Sequence, residues 1–135
     1  MNTQSFIDQL NREVFLKKKP KRIISLVPSL TDFLHYLSLE EEVVGITRFC
    51  IHPKAWFENK EKIGGTKRVN IDKIIALKPD LIIGNKEENT KEDILALENV
   101  APIWMSDVNS FDDGIDMIMK LGVVLSKEEV CNELV

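Results

Sequence analysis

Cysteine is nearly absent from this chain. Cys50 and Cys131 are the only two, far apart and outside any C-x-x-C pattern, which argues against a closed structural zinc site because that needs four such ligands. They do not establish a redox compartment, although so few suit a reducing one. A basic surplus is also missing: the formal net charge is −4 and the isoelectric point is near 5.3, which argues against non-specific nucleic-acid binding. Neither the phosphate-loop pattern G-x-x-x-x-G-K-[ST] nor the dinucleotide pattern G-x-G-x-x-G occurs, so Gly64-Gly65 in "IGGTK" signals a tight turn and not a nucleotide cradle. No window has the length and apolarity of a membrane span, and the opening "MNTQSFIDQLNREVF" has no apolar centre for a signal peptide. The expectation is a cytoplasmic chain as it stands, or a periplasmic or otherwise extracytoplasmic one if a leader has been removed. Internal repeats and low-complexity stretches are absent too.

What is present is the composition of an ordinary globular domain, with 44% hydrophobic and 30% charged residues in 135, enough for one core. "FIDQLNREVFL" reads as a hairpin with Asn11 near its turn. "RIISLV" is an unalternated apolar run, as expected of a strand covered on both faces. Pro28 stops it and Ser29 or Thr31 can cap the helix that follows, with Phe33, Leu34 and Leu37 as its core stripe. Further strands are predicted at Val43 to Thr47, in "PDLIIG" and in "PIWMS". Further helices are predicted from Pro53, over "NIDKIIALK" (cap Asn70; core Ile71, Ile74, Ile75, Leu77), over "NTKEDILALENV" and over "SFDDGIDMIMKLG", where Gly122 can terminate. An S-x-x-E capping box, Ser126 and Glu129, opens a last helix. The reading is therefore α/β: a mainly parallel sheet of about four strands with helices on both faces, preceded by a small β-hairpin. Residues 1–20 form the hairpin segment, 21–122 the α/β unit, and 123–135 the start of a further helix.

Such sheets bind ligands beyond the carboxyl ends of their strands, near the point where strand order reverses. That rule selects "VPSLT", "TRFCIHP", "GGTK" and "GNKEEN". The first offers the hydroxyls of Ser29 and Thr31 at a helix N-terminus, which plain capping would also explain. In the second, Phe49 sits at a strand end where it can stack on a flat ligand, while Trp56 and Phe57 are better read as a helix face packed on the sheet. Cys50 and His52 form a C-x-H pair, weak as a metal site and equally consistent with a half-buried cysteine beside a proline turn. "GNKEENTKED" crowds Asn85, Lys86, Glu87, Glu88 and Asn89 at the exit of a strand; without a paired nucleophile these form a polar loop by default. The run Lys17, Lys18, Lys19, Lys21 and Arg22 flanks a strand, and a solvated edge that discourages strand pairing is its plain reading.

Taken together, "RIISLVPSLTDFLHYL", "VVGITRFCIHP", "KIGGTKRVNIDKIIALKPDLIIGNKEEN" and "PIWMSD" resemble the helical-backbone metal-receptor family, the substrate-binding proteins of ABC importers for cobalamin, ferric siderophores and haem. The resemblance implies one lobe of a bilobal binding protein, with residues 123–135 beginning the rigid helix between lobes and the C-terminal lobe missing. It implies ligand capture and not catalysis, no required cofactor, a metal-chelate ligand and an ABC permease as partner. Carried over by position, the ligand-binding residues are Ser29, Thr31, Phe49, Thr66, Lys67, Asn85, Lys86 and Glu88; Thr66 and Lys67 occupy the loop where some cobalamin binders carry a tryptophan. Glu40, Glu41 and Glu42 could dock a permease or simply form a solvated turn. Two alternatives stand beside this reading. One is a cytoplasmic metal-handling accessory protein or enzyme using Cys50 and His52. The other is a lobe that homodimerises through the apolar face of its last helix.

Overall fold

The structure, a computed structural model, describes residues 3–135. The chain opens with two antiparallel strands, β1 (Gln4–Ile7) and β2 (Glu13–Leu16), paired from Gln4 opposite Leu16 to Ile7 opposite Glu13. Asn11 takes the left-handed conformation at φ 61°, which a short amide side chain tolerates. The turn is anchored by Asp8, fully buried. Its carboxylate accepts hydrogen bonds from the backbone N–H groups of Leu10, Arg12 and Met105 and pairs with Arg12 Nε at 3.1 Å. A carboxylate so enclosed is stable only because each lone pair has a partner.

Five parallel strands form the main sheet: β3 (Ile23–Ser25), β4 (Val43–Ile46), β5 (Glu61–Lys62), β6 (Leu81–Asn85) and β7 (Ile103–Ser106), in the order β5-β4-β3-β6-β7. One strand more is present than the sequence reading expects. β5 is two polar residues long and carries no hydrophobic period; only its pairing with Gly45 and Ile46 makes it a strand. The connections step outward from β3 to β4 and β5, then return across β3 to β6 and on to β7. Right-handed crossovers place α1 (Pro28–Tyr36) and α2 (Lys54–Asn59) on one face and α3 (Ile71–Leu77) and α4 (Lys91–Leu97) on the other. The reversal falls between β3 and β6. The hairpin turn covers the outer edge of β7, where Gln9 N–H donates to Met105 O at 3.0 Å. The core runs through the central strands, with Ile23, Ile24, Leu81, Ile82, Ile83 and Trp104 all fully buried, the two-sided burial expected of parallel strands.

Helix ends depart from the sequence reading in instructive ways. α1 has Val27 as N-cap and Pro28 in its first turn, with no side-chain cap; Ser29 and Thr31 do not cap. α3 does start on Asn70, whose side chain accepts from Lys73 N, but Ile75 is 50% exposed and lies outside the core. α5 (Phe111–Val124) runs through Gly122. It ends at Val124, two residues later, because Ser126 takes the left-handed conformation at φ 57°, with Lys127 N–H donating to Gly122 O and Ser126 N–H to Val123 O. That is a Schellman closure with serine where glycine is usual. The same geometry takes Ser126 out of any capping box, and α6 (Glu128–Leu134) begins on Lys127 without a side-chain cap. Gly122 serves packing instead: a Cβ there would lie 2.9 Å from Cys131, so its absence lets α5 and α6 approach. Among the described residues no helix is long and apolar enough to cross a membrane.

Candidate functional site

The carboxyl ends of β3, β4 and β6 present three loops side by side at the point of reversal, and a fourth segment, residues 64–69, folds in from β5. Asn89 ties them together. Only 5% exposed, its side chain accepts from Asn85 N at 2.9 Å and donates to Leu26 O at 3.1 Å and to Thr66 O at 3.0 Å. One amide thus joins the β3, β5 and β6 exits, using both its donor hydrogens and its acceptor. Gly84 makes room for it, since a Cβ there would meet Asn89 Oδ1 at 2.9 Å.

The β6 exit is set by Asn85. Its Oδ1 accepts from Glu87 N and Glu88 N, and its Nδ2 donates to Ser106 Oγ at 3.0 Å. This folds the loop back and leaves Lys86, Glu87 and Glu88 exposed. Lys86 Nζ stands 4.0 Å from Asp107 Oδ2, and Lys67 Nζ donates to Glu87 O. Lys67 and the half-buried Thr66 therefore lie beside this loop.

At the β3 and β4 exits a buried hydroxyl and thiol cluster holds the backbone. Thr31 Oγ1 lies 2.8 Å from Ser25 Oγ, 3.1 Å from Val27 O and 3.1 Å from Cys50 Sγ, and Thr47 Oγ1 lies 3.2 Å from the same sulfur while accepting from Phe49 N. Thr31 is fully buried, so its hydroxyl faces inward, away from the face where Ser29 is exposed. Cys50 is 1% exposed whereas His52 lies in the solvent. The pair does not converge: the sulfur is held inward against the Thr31 and Thr47 hydroxyls while the imidazole is exposed. Among the described residues no group of three or more His, Cys, Asp or Glu could hold a metal ion. Phe49 is 53% exposed, with the Arg48 guanidinium 5.0 Å from its ring centre. Gly65 lies beneath: a Cβ on it would be 3.2 Å from the ring.

The face therefore brings together Ser29, Phe49, Thr66, Lys67, Lys86 and Glu88, with Asn85 as the residue that shapes its loop. Sequence reasoning passed over Arg48 and gave Asn89 only a place in a polar loop. Arg48 adjoins the aromatic already singled out, but nothing local marks an asparagine that bridges three distant segments. A groove of about 520 Å³ runs between Arg12–Phe15 and Glu98–Ile103, and one of about 460 Å³ lies between the hairpin turn and α4; the second is lined in part by Lys86 and Asn89, and neither includes Ser29, Phe49, Thr66 or Lys67. The strand-end face is an open wall, with a flat aromatic and charges of both signs.

An α/β unit that exposes such a wall at its topological switch point has the architecture of a ligand-binding module. The chain belongs to the periplasmic binding protein family, whose pattern matches residues 23–135. It is 33% identical over 132 residues to the uncharacterized ABC transporter substrate-binding lipoprotein YvrC of Bacillus subtilis, covering 95% of this chain and 41% of that protein. Two solved structures have the same fold. Periplasmic vitamin B12 binding protein BtuF of Vibrio cholerae superposes with a TM-score of 0.75 at 28% identity, over 85% of this chain and 45% of that one. Siderophore binding protein BauB, bound to two acinetobactin molecules and ferric iron, gives a TM-score of 0.85 at 22% identity, over 98% of this chain and 49% of that one. The chain thus spans about four tenths of the length of YvrC.

Proposed function

We propose that the chain supplies one lobe of a substrate-binding component of an ABC-type importer, and that its strand-end wall contacts a metal chelate such as cobalamin, a ferric siderophore or haem. The observation that carries this is family membership over residues 23–135 together with an open wall at the β3/β6 reversal. The importer class rests on the likeness to YvrC. Among chelates, cobalamin has the further support of vitamin B12-binding relatives, one from Vibrio vulnificus being 32% identical over 102 residues. In this reading Phe49 stacks on the flat part of the ligand, and Ser29, Thr66, Lys67, Lys86 and Glu88 contact its polar periphery. Asn85 and Thr31 act from behind, holding loops. Binding is capture without chemistry. The family reading also divides the chain into hairpin, α/β lobe and the beginning of an interlobe helix at α6, with a second lobe, a permease partner and an extracytoplasmic location. Glu40–Glu42 precede β4, at the pole opposite Phe49, so a permease docked there would face away from the wall.

One wall buries about half the ligand surface that a closed cleft would, so affinity is expected in the micromolar to millimolar range. Gel filtration in buffer containing a constant level of cobalamin, hemin or a ferric siderophore, read by visible absorbance, tests this. One chromophore is expected to co-elute, and Phe49→Ala to weaken it about tenfold or more. Retention of none of them, by this chain or by a longer form carrying the rest of a relative's length, would overturn the reading.

A further inference from the structure

Charge is unevenly divided along this acidic chain. Residues 1–22 hold six Lys or Arg and two Asp or Glu, a balance of +4, which leaves −8 for the other 113 residues. Of the two acids in that segment one subtracts little, and the other stands on the outward face of the hairpin. Asp8 is buried and paired with Arg12, and Glu13 stands on the hairpin with its carboxylate 3.4 Å from Ser5 Oγ. The cations that follow are exposed. Among the described residues the side chains of Lys17, Lys18, Lys19 and Lys21 make no ion pair, although acids are near. Asp80 is taken up by the backbone N–H groups of Lys21 and Arg22, and Arg22 itself donates to Leu77 O at the end of α3. Lys78, exposed, follows directly at that helix end. Glu40, Glu41 and Glu42 flank the strip on the β4 side, where Ile23 N–H donates to Glu42 O.

The hairpin adds an apolar component. Its alternation sends Val14 and Leu16 into the core and leaves Phe15 55% and Ile7 45% exposed. Ser5 opposes Phe15 and Ile7 opposes Glu13 in register, so Ile7, Glu13 and Phe15 share the outward face, a carboxylate among two apolar side chains, and Lys17 continues its period. An exposed aromatic beside clustered lysines that lack counter-charges suits a surface that is anionic outside and apolar beneath. We propose that the outward face of the hairpin and the segment Lys17–Arg22 form a docking surface for an anionic lipid bilayer, with lysines at the headgroups and Phe15 at the acyl boundary. The strip precedes β3 and Phe49 follows β4, at opposite ends of parallel strands, so a chain held this way keeps its strand-end wall turned away from the lipid. The inference does not depend on the wall binding a chelate.

The test is flotation of the full chain with vesicles of phosphatidylcholine alone and with about a third phosphatidylglycerol, at about 0.05 M and about 0.5 M salt. Expected is partition to the anionic vesicles only, weakened by salt. The combined change Lys17→Gln, Lys18→Gln, Lys19→Gln is expected to lower the partition coefficient about a hundredfold, at about fivefold per lysine. Phe15→Ser should remove the binding that survives high salt. All four side chains point outward, so circular dichroism should stay that of the parent. Equal partition to both vesicle types, an unaffected triple variant, or retention by heparin or DNA without vesicle binding would each overturn the proposal.

Discussion

Replacing Asn89 by alanine should loosen the strand-end wall from a single position. The change removes three hydrogen bonds and leaves Asn85 N–H, Leu26 O and Thr66 O without that partner. Leu26 is fully buried, so its carbonyl bears the cost of an unsatisfied buried group, about 1–3 kcal/mol. Asn85 and Thr66 are half-buried; water can reach their groups, and each loss is nearer the net worth of an ordinary hydrogen bond, about 0.5–1 kcal/mol. The sum is about 3 kcal/mol, a large share of the about 5–15 kcal/mol that stabilises a domain, and it lowers the melting temperature by about 10 °C in a chain of this size. Urea denaturation reads it as a lower midpoint at unchanged slope. Hydrogen exchange should accelerate at the amides of Leu26, which donates to Ile83 O, and of Asn85, at the exits of different strands. Asn89→Asp keeps one acceptor but sets a carboxylate against two carbonyl oxygens. Its pKa is then raised in the folded state, so the variant should recover stability as pH falls and lose it as pH rises through that value. A loss below about 1 kcal/mol for Asn89→Ala, or faster exchange confined to its own loop, would refute the bracing role.

Two further predictions concern other parts of the fold. Gly122→Val places a branched side chain where even a Cβ lies 2.9 Å from Cys131; α6 should separate from α5 at about 1–3 kcal/mol. The Cys131 thiol, its pKa pushed up by burial and by Glu128, should then react faster with a disulfide reagent, and an unchanged rate and midpoint would contradict the close approach. Burial pushes the Lys60 ammonium below its ordinary 10.5, against the pull of Glu40 and Glu42, while its Nζ donates to Glu40 O and Val43 O and lies 4.6 Å from the Trp56 ring centre. Between the lowered value and 10.5 the unfolded chain binds more protons, so stability rises with pH. Urea midpoints of the parent and Lys60→Met at about pH 7 and about pH 10 should therefore diverge in the parent's favour; a gap independent of pH would contradict the burial.

Where hydrophobic period and local chemistry agree, the chain could be read directly. Ile23 to Val27, Leu81 to Ile83 and Ile103 to Met105 are, Ser25 apart, apolar on both sides because both faces of a parallel strand are covered. Asn11 and Asn70 mark a turn and a cap by their own side-chain chemistry. Strand-helix alternation then implies a parallel sheet, and the switch-point rule selects the four segments that do meet at one end. Contacts between segments distant in sequence were not legible. β5 has no pattern of its own, and Ser126 closes α5 in a conformation for which Gly122 looked the better candidate.

The sequence by itself determined the fold class, the hairpin, the family and the end of the sheet that carries the wall. Fold class and hairpin follow from periodicity and turn chemistry within short stretches, the end of the sheet from the switch-point rule, and the family from the resemblance of four segments spread along the chain. Only the tertiary structure decided which side chains face that wall. Thr31 and Cys50 turn inward to each other while Ser29 and Phe49 stay exposed. Asn89 is spent on Leu26 and Thr66, partners 63 and 23 residues away in sequence. Side-chain direction in a loop is set by what packs behind it, and such neighbours exist only once the strands have assembled.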